Sequence, residues 1–180
     1  MAYFSASTFR ILGSAATTQN LLTIENGTGT GKSVAVRGLD VYMDTNTAIL
    51  TAATVQFKAN LATSISGGTA LTKAAWHTAN TASQANVVIR SATASDGGAA
   101  TAITATLGSS LFQGMGIRYQ TLAGPVWSHI PCELLPQKAL ATSGIVLASG
   151  EGLCVNIATN ATTQNPATNM YIVNVVWEEI

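Results

Sequence analysis

From Ser33 to Asp44 the chain reads Ser-Val-Ala-Val-Arg-Gly-Leu-Asp-Val-Tyr-Met-Asp, alternating apolar and polar side chains. Only an extended strand places every second residue on one face, so this run predicts a strand. The phase changes once within it. Val34 and Val36 share one parity, whereas Leu39, Val41 and Met43 fall on the other, with Gly38 at the change. An extra residue in a strand flips the facing of everything after it. A β-bulge at Gly38 would therefore keep both sets of side chains on the same core.

The same alternation recurs along the chain without sustained helical spacing. Leu21–Asn26 predicts a strand that ends in the turn dipeptide Asn26-Gly27. Thr54–Leu61 places Val55, Phe57 and Leu61 on one face and Gln56, Lys58 and Asn60 on the other. Val87–Arg90 is a short apolar run, and Ser95-Asp96-Gly97-Gly98 after it marks a tight turn. Leu111–Leu122 alternates again, with Leu111, Met115, Ile117 and Tyr119 against Gly114, Gly116, Arg118 and Gln120. Ile145–Ala148, Leu153–Ala158 and Met170–Glu178 complete the set, separated by Ser149-Gly150-Glu151-Gly152 and by the polar loop around Asn165-Pro166. About eight strands with uneven loops predict an all-β, antiparallel sandwich. Short helical turns near Ala70–Ala79 or Cys132–Ala139 lack the periodicity to be assigned, and no internal repeat is evident.

Residues 1–20 stand apart from the single sandwich domain expected over 21–180. They scatter Tyr3, Phe4, Phe9, Ile11 and Leu12 among small polar residues. Two readings fit: a first strand with a loose tail, or an arm that lays those five side chains on a neighbouring subunit.

Charge narrows the function. Of 180 residues only 9% are charged, eight basic against eight acidic, for a net charge of zero. Nucleic-acid binding calls for clustered Lys and Arg that displace counterions, and the sequence has no such cluster. So neutral a surface holds a protein in solution poorly by itself and is easier to understand when partners cover it. No apolar window approaches the roughly 20 residues of a membrane helix. Arg10 interrupts the N-terminal apolar residues, and the start lacks the basic region of a signal peptide. Cys132 and Cys154 are two and far apart, which argues against a disulfide framework; Cys154 sits in a strand-like setting as a small apolar residue.

Motifs that carry chemistry fail on their context. Asn26-Gly-Thr-Gly-Thr-Gly-Lys32-Ser33 imitates a phosphate-binding loop, but Asn26 stands where the first glycine belongs. Such a loop must open a helix, and this one leads into the strand that starts at Ser33. His77, after Trp76 in an Ala/Thr-rich stretch, and His129, between Trp127 and Pro131, are read as surface or interface residues and not as metal ligands or catalysts. Asp40 and Asp44 lie four apart on one strand face, about 13 Å by strand rise and too far for a glycosidase pair. Glu178 and Glu179 face opposite sides of the last strand, where they are expected to be solvated or to cap an edge. There is no Gly-x-Ser-x-Gly elbow, and Asp96-Gly97-Gly98 lacks the further acids of a calcium loop. The expectation is a non-enzyme with no cofactor or metal. Six rings, Tyr42, Trp76, Tyr119, Trp127, Tyr171 and Trp177, are spread over the whole chain, as core and interface filling would spread them.

The run Leu21–Tyr42 resembles a segment of small virion proteins of tailed bacteriophages. The end of the chain does so too: Ala148-Ser-Gly-Glu-Gly-Leu-Cys-Val-Asn-Ile, then Asn165-Pro-Ala-Thr-Asn and the strand Met170–Glu179. The turn Gly-Glu-Gly-Leu and the final Trp-Glu-Glu are similar to the closing strands of viral jelly rolls. The middle, Thr63–Ala141, carries no resemblance. What the resemblance implies is a capsid decoration or cement protein of jelly-roll type, a homotrimer seated on the major capsid protein at the outside of the virion and assembled in the host cytoplasm. It implies no nucleic-acid or membrane partner and no catalytic residue. A receptor- or glycan-binding module of a tail tip or head fibre is the alternative, and it would expose some of the tryptophans in a groove.

Overall fold

The alternating segments form strands, and the strands pair as two antiparallel sheets. A computed structural model describes residues 2–13, 18–29, 31–45, 54–77, 86–96, 101–118, 130–135, 144–158 and 169–180. These residues contain no helix. The strands are β1 (Ala2–Ser7), β2 (Ile11–Leu12), β3 (Gln19–Asn26), β4 (Val34–Thr45), β5 (Thr54–Gly67), β6 (Thr69–Ala70) and β7 (Ala74–Ala75). They continue with β8 (Val87–Ser91), β9 (Ile103–Arg118), β10 (Ile130–Leu135), β11 (Ile145–Leu147), β12 (Gly152–Ala158) and β13 (Asn169–Glu179).

One sheet has the order β10-β4-β13-β1-β7, with β11 also on β4 and β2 also on β13; the other runs β6-β8-β3-β12-β5-β9. The chain crosses between them from β3 to β4 to β5 and again from β11 to β12 to β13. Early and late strands therefore interleave, β13 between β4 and β1, and β12 between β3 and β5. This is the wrapped arrangement of a jelly-roll-like β-sandwich.

The change of parity in β4 is resolved by a bulge. Val176 of β13 lies opposite Gly38 and Trp177 opposite Val36, so Arg37 is the extra residue. Val34, Val36, Leu39, Val41 and Met43 consequently all reach the core. A second bulge, which the sequence pattern does not announce, lies in β3. Val155 is opposite Leu22 and Asn156 opposite Asn20, which leaves Leu21 unpaired and buries Leu21 and Leu22 together. Aromatic rings fill the space between the sheets: Phe4 stacks on Trp177 with centroids 5.7 Å apart, and Phe57 meets Tyr171 edge-on at 5.7 Å.

Several sequence expectations need adjustment. The strand expected over 54–61 runs on to Gly67, and the one expected from Leu111 begins at Ile103. Residues 104–110 of that strand are mostly exposed at the edge of the second sheet, so no face of it is buried to create alternation. Asn60, on the strand face opposite Val55 and Phe57, is buried as well and accepts a 3.0 Å hydrogen bond from Asn156 Nδ2. No helical turn forms between Ala70 and His77, where the two-residue strands β6 and β7 lie instead. The first part of the Cys132–Ala139 candidate is strand β10, and its remainder is outside the described residues.

The N-terminal segment belongs to the sandwich. β1 pairs with β13 over its whole length, from Ala2 opposite Glu179 to Ser7 opposite Asn174. Thr8 extends the ladder, its N–H donating to Val173 O at 3.0 Å while its Oγ1 accepts from Val173 N–H at 2.9 Å. The alternation along β1 is regular: Phe4, Ala6 and Thr8 face the core, whereas Tyr3, Ser5 and Ser7 face outward.

Candidate interaction surface

The five residues expected to contact a partner divide between the two sides of β1 and its continuation. Phe4 and Ile11 are buried in this chain's own core, because β1 and β2 are strands of its own sheet. Leu12 is half-buried. Tyr3 and Phe9 are exposed, at 37% and 50%.

Tyr3 brings in Trp76, a ring that its sequence context counts among the fillers. The register of β1 with β7 sets Phe4 opposite Ala75, and the Trp76 N–H then donates to the Tyr3 carbonyl at 3.0 Å. The Trp76 ring stacks on Tyr3 with centroids 6.0 Å apart and planes inclined by 29°. Trp76 nevertheless stays 58% exposed. A large ring so exposed is uncommon in a folded domain, and this one is held by a backbone hydrogen bond and a second ring. Nothing in its Ala/Thr-rich surroundings signals this, since its partner is distant in sequence.

Across the outer face of the first sheet the row continues from Tyr3 to Glu178, Ala35 and Val146. Glu178 is 1% exposed, a departure from the solvated end expected of the final glutamates, and Glu179 is buried as well. The β4 bulge explains the first of these. It puts Arg37 out of register, and its guanidinium donates to Glu178 Oε2 through Nε at 2.9 Å and Nη2 at 2.6 Å. Glu178 Oε1 finds no hydrogen-bond partner among the described residues.

The phosphate-loop imitation is a structural turn. Asn26 is buried, and its Nδ2 donates to Lys32 O at 2.9 Å and Leu147 O at 3.0 Å, fastening the glycine-rich loop to β11. The loop then enters strand β4, not a helix. Asp96 is engaged by Arg10, whose backbone N–H and guanidinium both donate to its carboxylate, the shortest contact being 2.6 Å. The side-chain hydrogen bond from Arg10, then the backbone one, holds this carboxyl below its ordinary value. His77 is exposed beside Trp76. His129, Trp127 and Tyr119 lie outside the described residues. No group of three or more His, Cys, Asp or Glu able to hold a metal occurs among the described residues.

Cys154 is fully buried on β12, and desolvation pushes its thiol from 9.0 up to about 12 despite an opposing hydrogen bond from Asn156. In the native protein at pH 8 the Cys154 peptide should resist iodoacetamide, and it should be alkylated at once in urea; mass spectrometry of the digest reads both. Because the folded state raises this pKa, its contribution to stability is intact below about pH 9 and is lost as pH climbs toward 12. Cys154→Ala should flatten the alkaline end of the stability profile relative to the parent chain.

No protein-family model matches the chain, and no match is found among curated proteins or solved structures.

Proposed function

We propose that the chain is a structural protein of a bacteriophage particle, a decoration or cement protein that binds and stabilises the capsid through protein–protein contacts. In this reading it acts as a homotrimer on the major capsid protein, at the capsid exterior. The resemblance of Leu21–Tyr42 and of the closing strands supports it, together with a jelly-roll-like sandwich and a 9% charged composition. The observation that carries it is the set of large apolar side chains left exposed on a nearly neutral protein. Phe9 is 50% exposed, Leu107 and Leu111 stand out on edge strand β9, and Val146 and Ile180 are 48% and 46% exposed. Buried apolar area at subunit contacts is the energy source available to such a surface.

The test is co-sedimentation of the full chain with heads of the virus that encodes it, alongside its mass by light scattering. Saturable binding to heads and a trimeric mass are expected. Phe9→Ser should weaken affinity for heads about tenfold, a loss of about 1.4 kcal/mol. Truncating the first twelve residues is a poor substitute, because it removes β1 from between β13 and β7 and unfolds the sheet. A monomeric chain that does not sediment with heads overturns the reading.

A further inference from the structure

The outer face of the first sheet around β1 combines two kinds of group. Trp76 and Tyr3 form a stacked pair with an open indole face, held by the Trp76 N–H to Tyr3 carbonyl bond. Further along the same face of β1 come Ser5 and Ser7, and Ser7 Oγ donates to Asn174 Oδ1 of β13 at 2.6 Å. That bond leaves the Asn174 amide N–H groups for an outside acceptor. Ser7 is four residues from Tyr3, about 13 Å along the strand. The strip is thus an aromatic plate continued by hydroxyl and amide groups, at the spacing of a short chain of sugar rings.

We propose that this strip is a binding site for a neutral oligosaccharide, with one pyranose ring lying on Trp76. This rests on the Trp76–Tyr3 geometry and is independent of the capsid reading. The C–H face of a pyranose carries slight positive charge and packs on the negative face of an indole, while its rim of hydroxyls needs donors and acceptors at the edge of the plate. Tyr3 backs the indole, so little side-chain entropy remains to be lost on binding. The charge pattern selects against anionic ligands. Arg37, the cation that the β4 bulge brings beside Glu178, has its guanidinium committed to that carboxylate. A protein partner would want continuous apolar area, whereas β1 presents Tyr3, Ser5 and Ser7 in succession.

The experiment is a printed array of neutral glycans (glucans, mannans, galactans and N-acetylglucosamine oligomers) with heparin and polysialic acid as anionic controls, probed with the full chain. Retention on at least one neutral class and none on the anionic controls is expected. Trp76→Ala should weaken that retention at least tenfold and Trp76→Phe should keep part of it. Phe9→Ser, the variant that tests the capsid reading, should leave it unchanged. Because Trp76 is mostly exposed, Trp76→Ala should unfold at the same urea concentration as the parent. The proposal is overturned if no neutral glycan is retained, if only the anionic controls are, or if Trp76→Ala binds as well as the parent. Loss of self-association in Trp76→Ala without loss of glycan retention would overturn it too, making the plate a protein interface.

Discussion

Replacing Trp177 with alanine is expected to lower the stability of the chain by about 3–5 kcal/mol, the range for truncating a large aromatic in a core. Trp177 is completely buried on β13, the strand that β4 and β1 flank in the first sheet. Its ring stacks on Phe4 at 5.7 Å and 20°, so the substitution empties the contact that fixes the N-terminal strand to the core. Domains of this size are stable by about 5–15 kcal/mol, so a loss on that scale removes a large share of the total stability. Urea denaturation should show the midpoint falling with little change in slope, since the surface exposed on unfolding is nearly unchanged. Trp177→Phe supplies the control. It keeps a ring against Phe4 and removes the buried indole N–H, which has no hydrogen-bond partner among the described residues, so it should cost much less than the alanine. A midpoint for Trp177→Ala within experimental error of the parent would mean that the ring is not packed as described.

The reasons why some of this is legible in the sequence and some is not are physical. Val34, Val36, Leu39, Val41 and Met43 announce both their strand and its bulge, because burial on one face imposes a period of two and an extra residue shifts it. The first half of β9 has no buried face, so nothing in Thr104–Ser110 distinguishes it from a loop. Its strand character comes only from pairing with β5. The N-terminal residues are ambiguous for a related reason. Their apolar members separate into core and surface only once β1 is in register with β13, which sends Phe4 inward and Tyr3 outward. The candidate surface is only partly readable: Tyr3 and Phe9 are exposed, whereas Phe4 and Ile11 from the same group are core, and Trp76 joins Tyr3 through a pairing that no local pattern encodes. Glu178 is the sharpest case. Next to the chain's end and beside a second glutamate it reads as solvated, and it is buried because a bulge far upstream delivers Arg37 to it.

That delivery has a measurable consequence, which is a strong coupling between residues 141 positions apart. Arg37→Leu should destabilise the chain by about 2–3 kcal/mol, below the roughly 3–5 kcal/mol typical of breaking a fully buried pair because the arginine side chain keeps 20% of its exposure. The cost arises mainly from Glu178, whose carboxylate is left in a site 1% exposed with no compensating donor. Glu178→Leu should cost less than Arg37→Leu, since the guanidinium can turn toward solvent whereas the carboxylate cannot. In the double variant both charges are gone and two apolar side chains meet instead. Its stability should then recover to within about 1 kcal/mol of the parent, as buried pairs replaced by apolar residues often do. Urea denaturation of the four proteins closes the cycle, with an interaction energy of about 1–3 kcal/mol expected for residues in direct contact. Additive single costs would show that the bulge places Arg37 near Glu178 without any energetic link between them. A recovered double variant would show that the bulge persists without the ion pair, held by the core facing of Leu39, Val41 and Met43, so that the pair is a product of that geometry and does not drive it.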